Sequence, residues 1–147
     1  MNRQFVKEIT DTLVKQVGVN RSMTSQALVL TLGYGLPVPN QGVEDPASFY
    51  QEHYEGKIRR FVNDFNERYL IDMATVIEGT RQVWLDRYRG LFIHDEGQIK
   101  DFLDGNSPAR KFLSSNEQTV EQAAQIAQAA AILYPQISAY LMDMANS

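Results

Sequence analysis

The residues best suited to chemistry lie in one short run near the middle of the chain. His53 has an acidic neighbour on each side, Glu52 and Glu55. A histidine beside a carboxylate can serve as a general acid or base near neutral pH. No recognisable nucleophile, oxyanion donor or cofactor loop accompanies the three residues. The sequence therefore favours a protein that is not an enzyme, and a hydrolytic or isomerising enzyme around this run stays as an alternative.

Metal binding has little support in the sequence. The chain has no cysteine, which excludes thiolate metal sites and disulfides. The Glu-x-x-His spacing used by carboxylate-bridged di-metal bundles does not occur. The second histidine, His94, is followed by Asp95 and Glu96, but adjacent residues at the start of a helix point in different directions. We predict no metal and no cofactor.

A second group of residues combines arginine with aromatic side chains. Its members are Arg59, Arg60, Arg81, Trp84, Arg87, Tyr88 and Arg89. Such a set can follow a phosphate backbone and stack on bases. However, acidic residues are interleaved with it, and a net charge of −4 is a poor electrostatic footprint for nucleic acid. Protein interfaces favour Tyr, Trp and Arg, so we expect a protein partner and treat nucleic acid as the disfavoured alternative.

A proline- and glycine-rich connector, residues 34–46, separates the helical parts of the chain. Proline fixes its own φ angle and pushes the preceding residue towards an extended conformation. The connector should therefore contain a stiff, extended arm whose apolar residues lie against a neighbouring subunit. The residues of this arm are Leu36, Pro37, Val38 and Pro39.

The sequence around these groups predicts a single all-α domain, residues 1–147. We expect a helical bundle with one or two long central helices and the extended proline- and glycine-rich connector. A content of 44% hydrophobic and 22% charged residues is typical of a globular protein. The predicted parts are an N-terminal helical pair (1–33), the extended connector with its arm (34–46), a long helical segment (47–92) and C-terminal helices (95–147). Within the first part, residues 27–32 fit a buried helix ending at Gly33 or a buried strand, and the glycine favours the helix.

The long segment 47–92 is too long for one helix in a compact domain. As a single helix it would extend about 70 Å, whereas a compact domain of this size is about 40 Å across. We expect a break near Gly79, or an elongated molecule that packs against neighbours.

Several helix boundaries are also predicted from local signals. Asp45-Pro46 provides an N-cap followed by proline at the first helical position. Capping boxes are predicted at 95–98 and 115–118, and Ser107-Pro108 opens a short helix. Pro135 should end or kink the last helix.

These features together predict a non-enzymatic helical structural or interaction protein, a subunit of a larger homo- or hetero-assembly such as a viral particle. The alternative is a small regulator or inhibitor that binds nucleic acid or a protein target through the arginine and tryptophan residues. The first residues contain acidic side chains where a signal peptide needs an apolar run, and no stretch reaches membrane-spanning length. We expect an intracellular, cytoplasmic or virion location.

Overall fold

The computed structural model describes residues 3–39, 42–66, 71–89 and 119–145, and this part of the chain contains helices and connecting segments without a strand. The helices are α1 (Arg3–Val17), α2 (Arg21–Gly35), α3 (Pro46–Tyr50), α4 (Gly56–Asn66), α5 (Met73–Tyr88) and α6 (Val120–Ala145), and a π-helical turn (Gln51–Glu55) joins α3 to α4. The all-α prediction is confirmed, and residues 27–32 form helix rather than strand. No helix in these ranges combines the length and apolarity needed to cross a membrane.

Helix α2 is the centre of the fold. Every residue from Met23 to Gly35 is buried, and α2 packs against both α5 and α6. A helix with apolar residues on all sides is stable only when neighbours surround it. Helix α1 is amphipathic by contrast, buries Val6, Ile9 and Leu13, and packs on α6 and α2. The central position of α2 makes its C-terminal end a meeting point of three helices.

Two glycines near the end of α2 allow this close packing. A Cβ atom placed on Gly33 would lie 2.5 Å from Val83 Cβ, and one on Gly35 would lie 2.7 Å from Leu141 Cδ1. Helices α5 and α6 therefore approach the α2 backbone closely. We expected Gly33 to end the helix, but α2 continues to Gly35. Close packing, rather than helix termination, explains the glycine at position 33.

The long segment 47–92 is interrupted before Met73, so the predicted break near Gly79 is wrong. Gly79 is buried inside α5. Asp72 has an extended backbone (φ −83°, ψ 98°) and its side chain accepts a hydrogen bond of 3.2 Å from the Thr75 backbone N–H. The Asp72 backbone N–H in turn donates to Ser25 Oγ of α2 at 2.9 Å. These two contacts fix a non-helical residue and start α5 there.

The predicted N-cap of α3 is confirmed. Asp45 precedes Pro46, the first helical residue, and its carboxylate accepts hydrogen bonds from the Ser48 backbone N–H at 3.3 Å and from Ser48 Oγ at 2.7 Å. These bonds hold the pKa of Asp45 below its usual value. The connector is thus tied firmly to the helix that follows it.

Helix α6 begins with a capping box and continues past Pro135. Thr119 and Gln122 form a reciprocal capping box, in which the backbone N–H of each residue donates to the side-chain oxygen of the other at 3.0 Å. Pro135 does not end the helix, which continues to Ala145. The predicted boxes at 95–98 and 115–118, and the helix start at 107–108, lie outside the described residues.

Candidate interaction site

The two groups predicted to contact partners lie against each other in the structure. Trp84 of α5 donates a hydrogen bond from Nε1 to the carbonyl oxygen of Pro37 at 3.0 Å, and Tyr54 OH donates to the same oxygen at 3.0 Å. Two donors from separate helical elements thus meet at one connector carbonyl. The proline arm and the tryptophan that we expected to face partners are bound to each other.

Arg87 extends this arrangement to the end of α2. Its Nη1 donates to the carbonyl oxygens of Gly33 at 2.6 Å and Leu36 at 2.7 Å, and the residue is only 8% exposed. The last carbonyls of a helix have no partner within the helix and carry partial negative charge, so a cation is favourable there. Desolvation lowers the pKa of the guanidinium. Arg87 therefore serves as a buried cap on the C-terminus of α2.

Tyr88 completes the contacts between α5 and the connector. Its OH donates to the carbonyl oxygen of Val43 at 2.9 Å. We call the four donating side chains, Tyr54, Trp84, Arg87 and Tyr88, the connector clamp. The clamp thus donates hydrogen bonds to carbonyl oxygens at the end of α2 and along the connector.

Aromatic rings surround the tryptophan of the clamp. The Trp84 ring lies parallel to Phe49 at 5.9 Å between centroids and close to parallel with Tyr88 at 5.8 Å. Tyr50 and Tyr54 contact it at 5.5 and 5.8 Å. Burial raises the pKa of both of these tyrosines. Trp84 is fully buried, so in this conformation its ring cannot stack on a nucleic-acid base.

The predicted arm divides into a buried and a partly exposed part. Leu36 is fully buried within this chain, whereas Pro37, Val38 and Pro39 are half-buried. The Leu36 side chain is therefore occupied by its own core. A contact between a neighbouring subunit and Val38 or Pro39 stays a prediction.

The predicted arginines differ in their burial and in their partners. Three of them lie within 4 Å of an acidic side chain of a nearby residue: Arg59 with Glu55 (3.8 Å), Arg81 with Glu78 (3.5 Å) and Arg89 with Asp86 (3.9 Å). Arg60 is exposed on α4, and Arg87 is inside the clamp. The first two pairs are partly solvent-exposed and contribute little to stability, whereas Asp86 of the third pair is buried. All three pairs leave the positive charge of this group locally balanced.

The candidate catalytic run lies on the π-helical turn. Glu52 and His53 are exposed, and the His53 ring rests on Phe49 with 4.2 Å between centroids. Such turns often occur at functional sites. The structure does not add a nucleophile or an oxyanion donor to this run among the residues it describes. The role of the run as an enzyme site thus gains no support from its geometry.

A small polar cleft lies elsewhere, where α2 and α5 begin. It has a volume of about 180 Å³ and is lined by Arg21, Ser22, Ser25, Asp72 and Thr75. Its groups already bond to protein: Ser25 Oγ donates to the Arg21 carbonyl oxygen, and Arg21 Nη2 donates to that of Ile71. The Asp72 carboxylate would also repel an anion. These bonds explain the cleft as part of the junction between the two helices.

A surface on α6 was not predicted from the sequence. Its exposed residues recur at spacings of three and four, and we call the following set the α6 outer face: Gln125, Gln128, Ile132, Pro135, Ala139 and Met142. Ile132 is 41% and Met142 46% exposed. No charged residue occurs from Gln122 to Met142. This uncharged run of 21 residues is the sequence feature that could have indicated the surface.

No protein-family model, no curated protein and no solved structure matches the chain.

Proposed function

We propose that the chain is a non-enzymatic helical interaction protein that packs against copies of itself through the α6 outer face. The observation that carries this proposal is the exposure of Ile132 and Met142 on a helical stripe without charge. Single exposed apolar residues are ordinary on protein surfaces. Two large ones on one face, with alanine, proline and glutamine between them, form a continuous surface that a partner could cover.

The spacing of the face suits contact with another helix. Residues repeating at three and four positions form the seam along which two helices pack. From Gln125 to Met142 the seam is about 26 Å long. A second copy is the favoured occupant, because two identical uncharged faces meet without charge repulsion, whereas a charged partner would lose hydration and gain no ion pair there.

The size of the face predicts modest affinity for a single contact. A stable interface usually buries about 800 Å² on each partner, more than one helical seam of this length provides. We therefore expect association that depends on protein concentration, as in an assembly held by several such contacts. A viral particle component and an intracellular assembly subunit are two instances of this function.

The experiment is a light-scattering measurement of mass over a series of protein concentrations. The double variant Ile132→Lys/Met142→Lys places two charges on the α6 outer face. Val19→Lys is the matched control, because Val19 is 90% exposed in the turn between α1 and α2. We expect the wild type and the control to gain mass with concentration and the double variant to stay monomeric. A wild type that remains monomeric throughout, or equal association of all three proteins, would overturn the proposal.

A further inference from the structure

The connector enters the clamp in a specific backbone conformation. Leu36 has φ −72° and ψ 134°, close to the polyproline II values of about −75° and +145°. The rings of Pro37 and Pro39 restrict φ at the next positions to about −65°. The Leu36 angles and the two prolines thus favour a short polyproline-type segment, which meets the clamp through the carbonyl oxygens of Leu36 and Pro37.

The surface that holds this segment has the chemistry of a site for proline-rich peptides. Such sites are aromatic grooves that accept a preformed polyproline II segment. Here Trp84 and Tyr54 supply donors that meet at one carbonyl oxygen of the segment, both at 3.0 Å. Phe49 and Tyr88 lie parallel to the Trp84 ring and extend the aromatic surface. The occupant seen in the structure defines the class of ligand that fits.

We propose that the groove formed by Tyr54 and Trp84 is a binding site for proline-rich polyproline II peptides, occupied in this chain by its own residues Pro37–Pro39. A proline-rich segment from another molecule binds there when these residues detach. Leu36 stays in place during the exchange, because it is fully buried and Arg87 holds its carbonyl oxygen. The exchange uses a different surface from the α6 outer face and does not depend on self-association.

Competition with the connector controls the affinity for an external peptide. A segment tethered by a short linker has an effective concentration in the millimolar range. The apparent affinity for an external ligand falls by the fraction of molecules whose groove is free. The wild-type protein should therefore bind weakly, and a change that loosens the connector should strengthen binding.

The test uses a variant with a loosened connector, Pro37→Gly/Pro39→Gly. Glycine removes the restriction on φ but keeps the carbonyl groups. The probe is an end-blocked peptide with the sequence of the detaching residues 37–39, Pro-Val-Pro. Trp84 is the only tryptophan, so its indole N–H resonance and its fluorescence report on the groove directly. Circular dichroism checks that each variant is folded, and Pro39→Gly alone replaces the double variant if that fails to fold.

We expect a saturable change in the Trp84 signals of the variant, with an affinity at least about tenfold higher than that of the wild type, as the loss of competition requires. A peptide with alanine in place of both prolines should bind several-fold more weakly. Adding Tyr54→Phe to the variant should also weaken binding several-fold, because one of the two donors is lost. A folded variant whose Trp84 signals do not respond to millimolar peptide, or respond equally to the alanine peptide, would overturn the proposal.

Discussion

The connector and the α6 outer face differ in whether other parts of the same chain cover them. The connector is rich in prolines and lies among aromatic residues and an arginine, yet its carbonyls at Leu36, Pro37 and Val43 are bonded by side chains of the same chain. The α6 outer face consists of alanine, glutamine, proline and two larger apolar residues, yet it faces solvent. The aromatic and arginine side chains of the clamp, which are typical of interfaces, thus contact their own chain, whereas the alanine- and glutamine-rich face of α6 is exposed to solvent. Exposure, rather than composition, indicates which of the two regions is open to a second copy.

The largest expected effect is the loss of the buried cation in the clamp. Arg87→Met keeps much of the side-chain volume but removes both hydrogen bonds to the end of α2 and leaves the Gly33 and Leu36 carbonyl oxygens without their donor. Hydrogen bonds from a charged group contribute about 1.5 to 3 kcal/mol each, and an unpaired buried polar group costs about 1 to 3 kcal/mol. We expect the free energy of unfolding to fall by about 3 to 5 kcal/mol, measured by urea denaturation.

The control for this prediction is Arg60→Met, which changes an exposed arginine of α4 in the same way. Substitutions at such surface positions usually change stability by less than about 0.5 kcal/mol. Equal effects of the two substitutions would show that Arg87 does not hold the end of α2.

Two glycine-to-alanine substitutions compare a crowded position with an open one. Gly33→Ala places a methyl group 2.5 Å from Val83 Cβ, and overpacking of this kind costs about 1 to 3 kcal/mol. Gly56→Ala places a methyl group in a helix where nothing lies within 4 Å, and should stabilise the protein by about 0.5 to 1 kcal/mol. Thermal or urea unfolding measures both. The same sign for the two variants would contradict the close packing of α2 against α5.

The start of α5 predicts a dependence of stability on pH. Hydrogen bonds from Thr75 hold the pKa of Asp72 below its usual value. Since the folded pKa is the lower one, the cap stabilises the fold fully above the unfolded pKa, near about 4, and this contribution is lost as the pH falls through the folded pKa. Asp72→Ala should cost about 1 kcal/mol at pH 7.

The measurement is urea unfolding of the wild type and Asp72→Ala at pH 7 and about pH 3, with the exposed Asp11→Ala in α1 as the control. The difference between wild type and Asp72→Ala should shrink at the lower pH. A difference that stays constant between the two pH values would contradict a cap made by the charged carboxylate.

The smallest effect on stability is expected on the α6 outer face. Ile132 is already 41% exposed, so Ile132→Lys removes little buried area and should change the free energy of unfolding by less than about 0.5 kcal/mol. Urea denaturation in dilute solution measures it. A loss above about 2 kcal/mol would show that Ile132 packs within the monomer, which would contradict an open face.

Local signals predicted those parts of the fold that depend on a few neighbouring residues. The Asp45-Pro46 cap is an example, because it needs only a side-chain acceptor followed by proline at the first helical position. The break before Met73 was not predicted. It combines a local cap, Asp72 on Thr75, with a distant bond from the Asp72 backbone to Ser25, 47 positions away. Similarly, Pro135 was predicted to end or kink the last helix, and α6 continues through it to Ala145.

The candidate sites likewise depend on contacts between residues that are far apart in the sequence. The sequence identified Trp84, Arg87 and the proline arm as residues that form contacts, but it could not show that these residues contact each other. Arg87 and Leu36 lie 51 positions apart, and only the fold brings them together. The open face of α6 depends on which side of the helix the rest of the molecule covers, and a periodic apolar pattern alone does not distinguish core from interface.

The most direct test of the central claim is cysteine crosslinking on two exposed helical faces. Because the chain has no cysteine, Ile132→Cys on α6 and Arg60→Cys on α4 each introduce a single thiol, and a short bis-maleimide at a concentration well below saturation links thiols that lie close together. We predict a covalent dimer from Ile132→Cys that increases with protein concentration, and little from Arg60→Cys. Equal crosslinking at both positions, or none at position 132 even in concentrated protein, would contradict an open α6 face that meets its own copy.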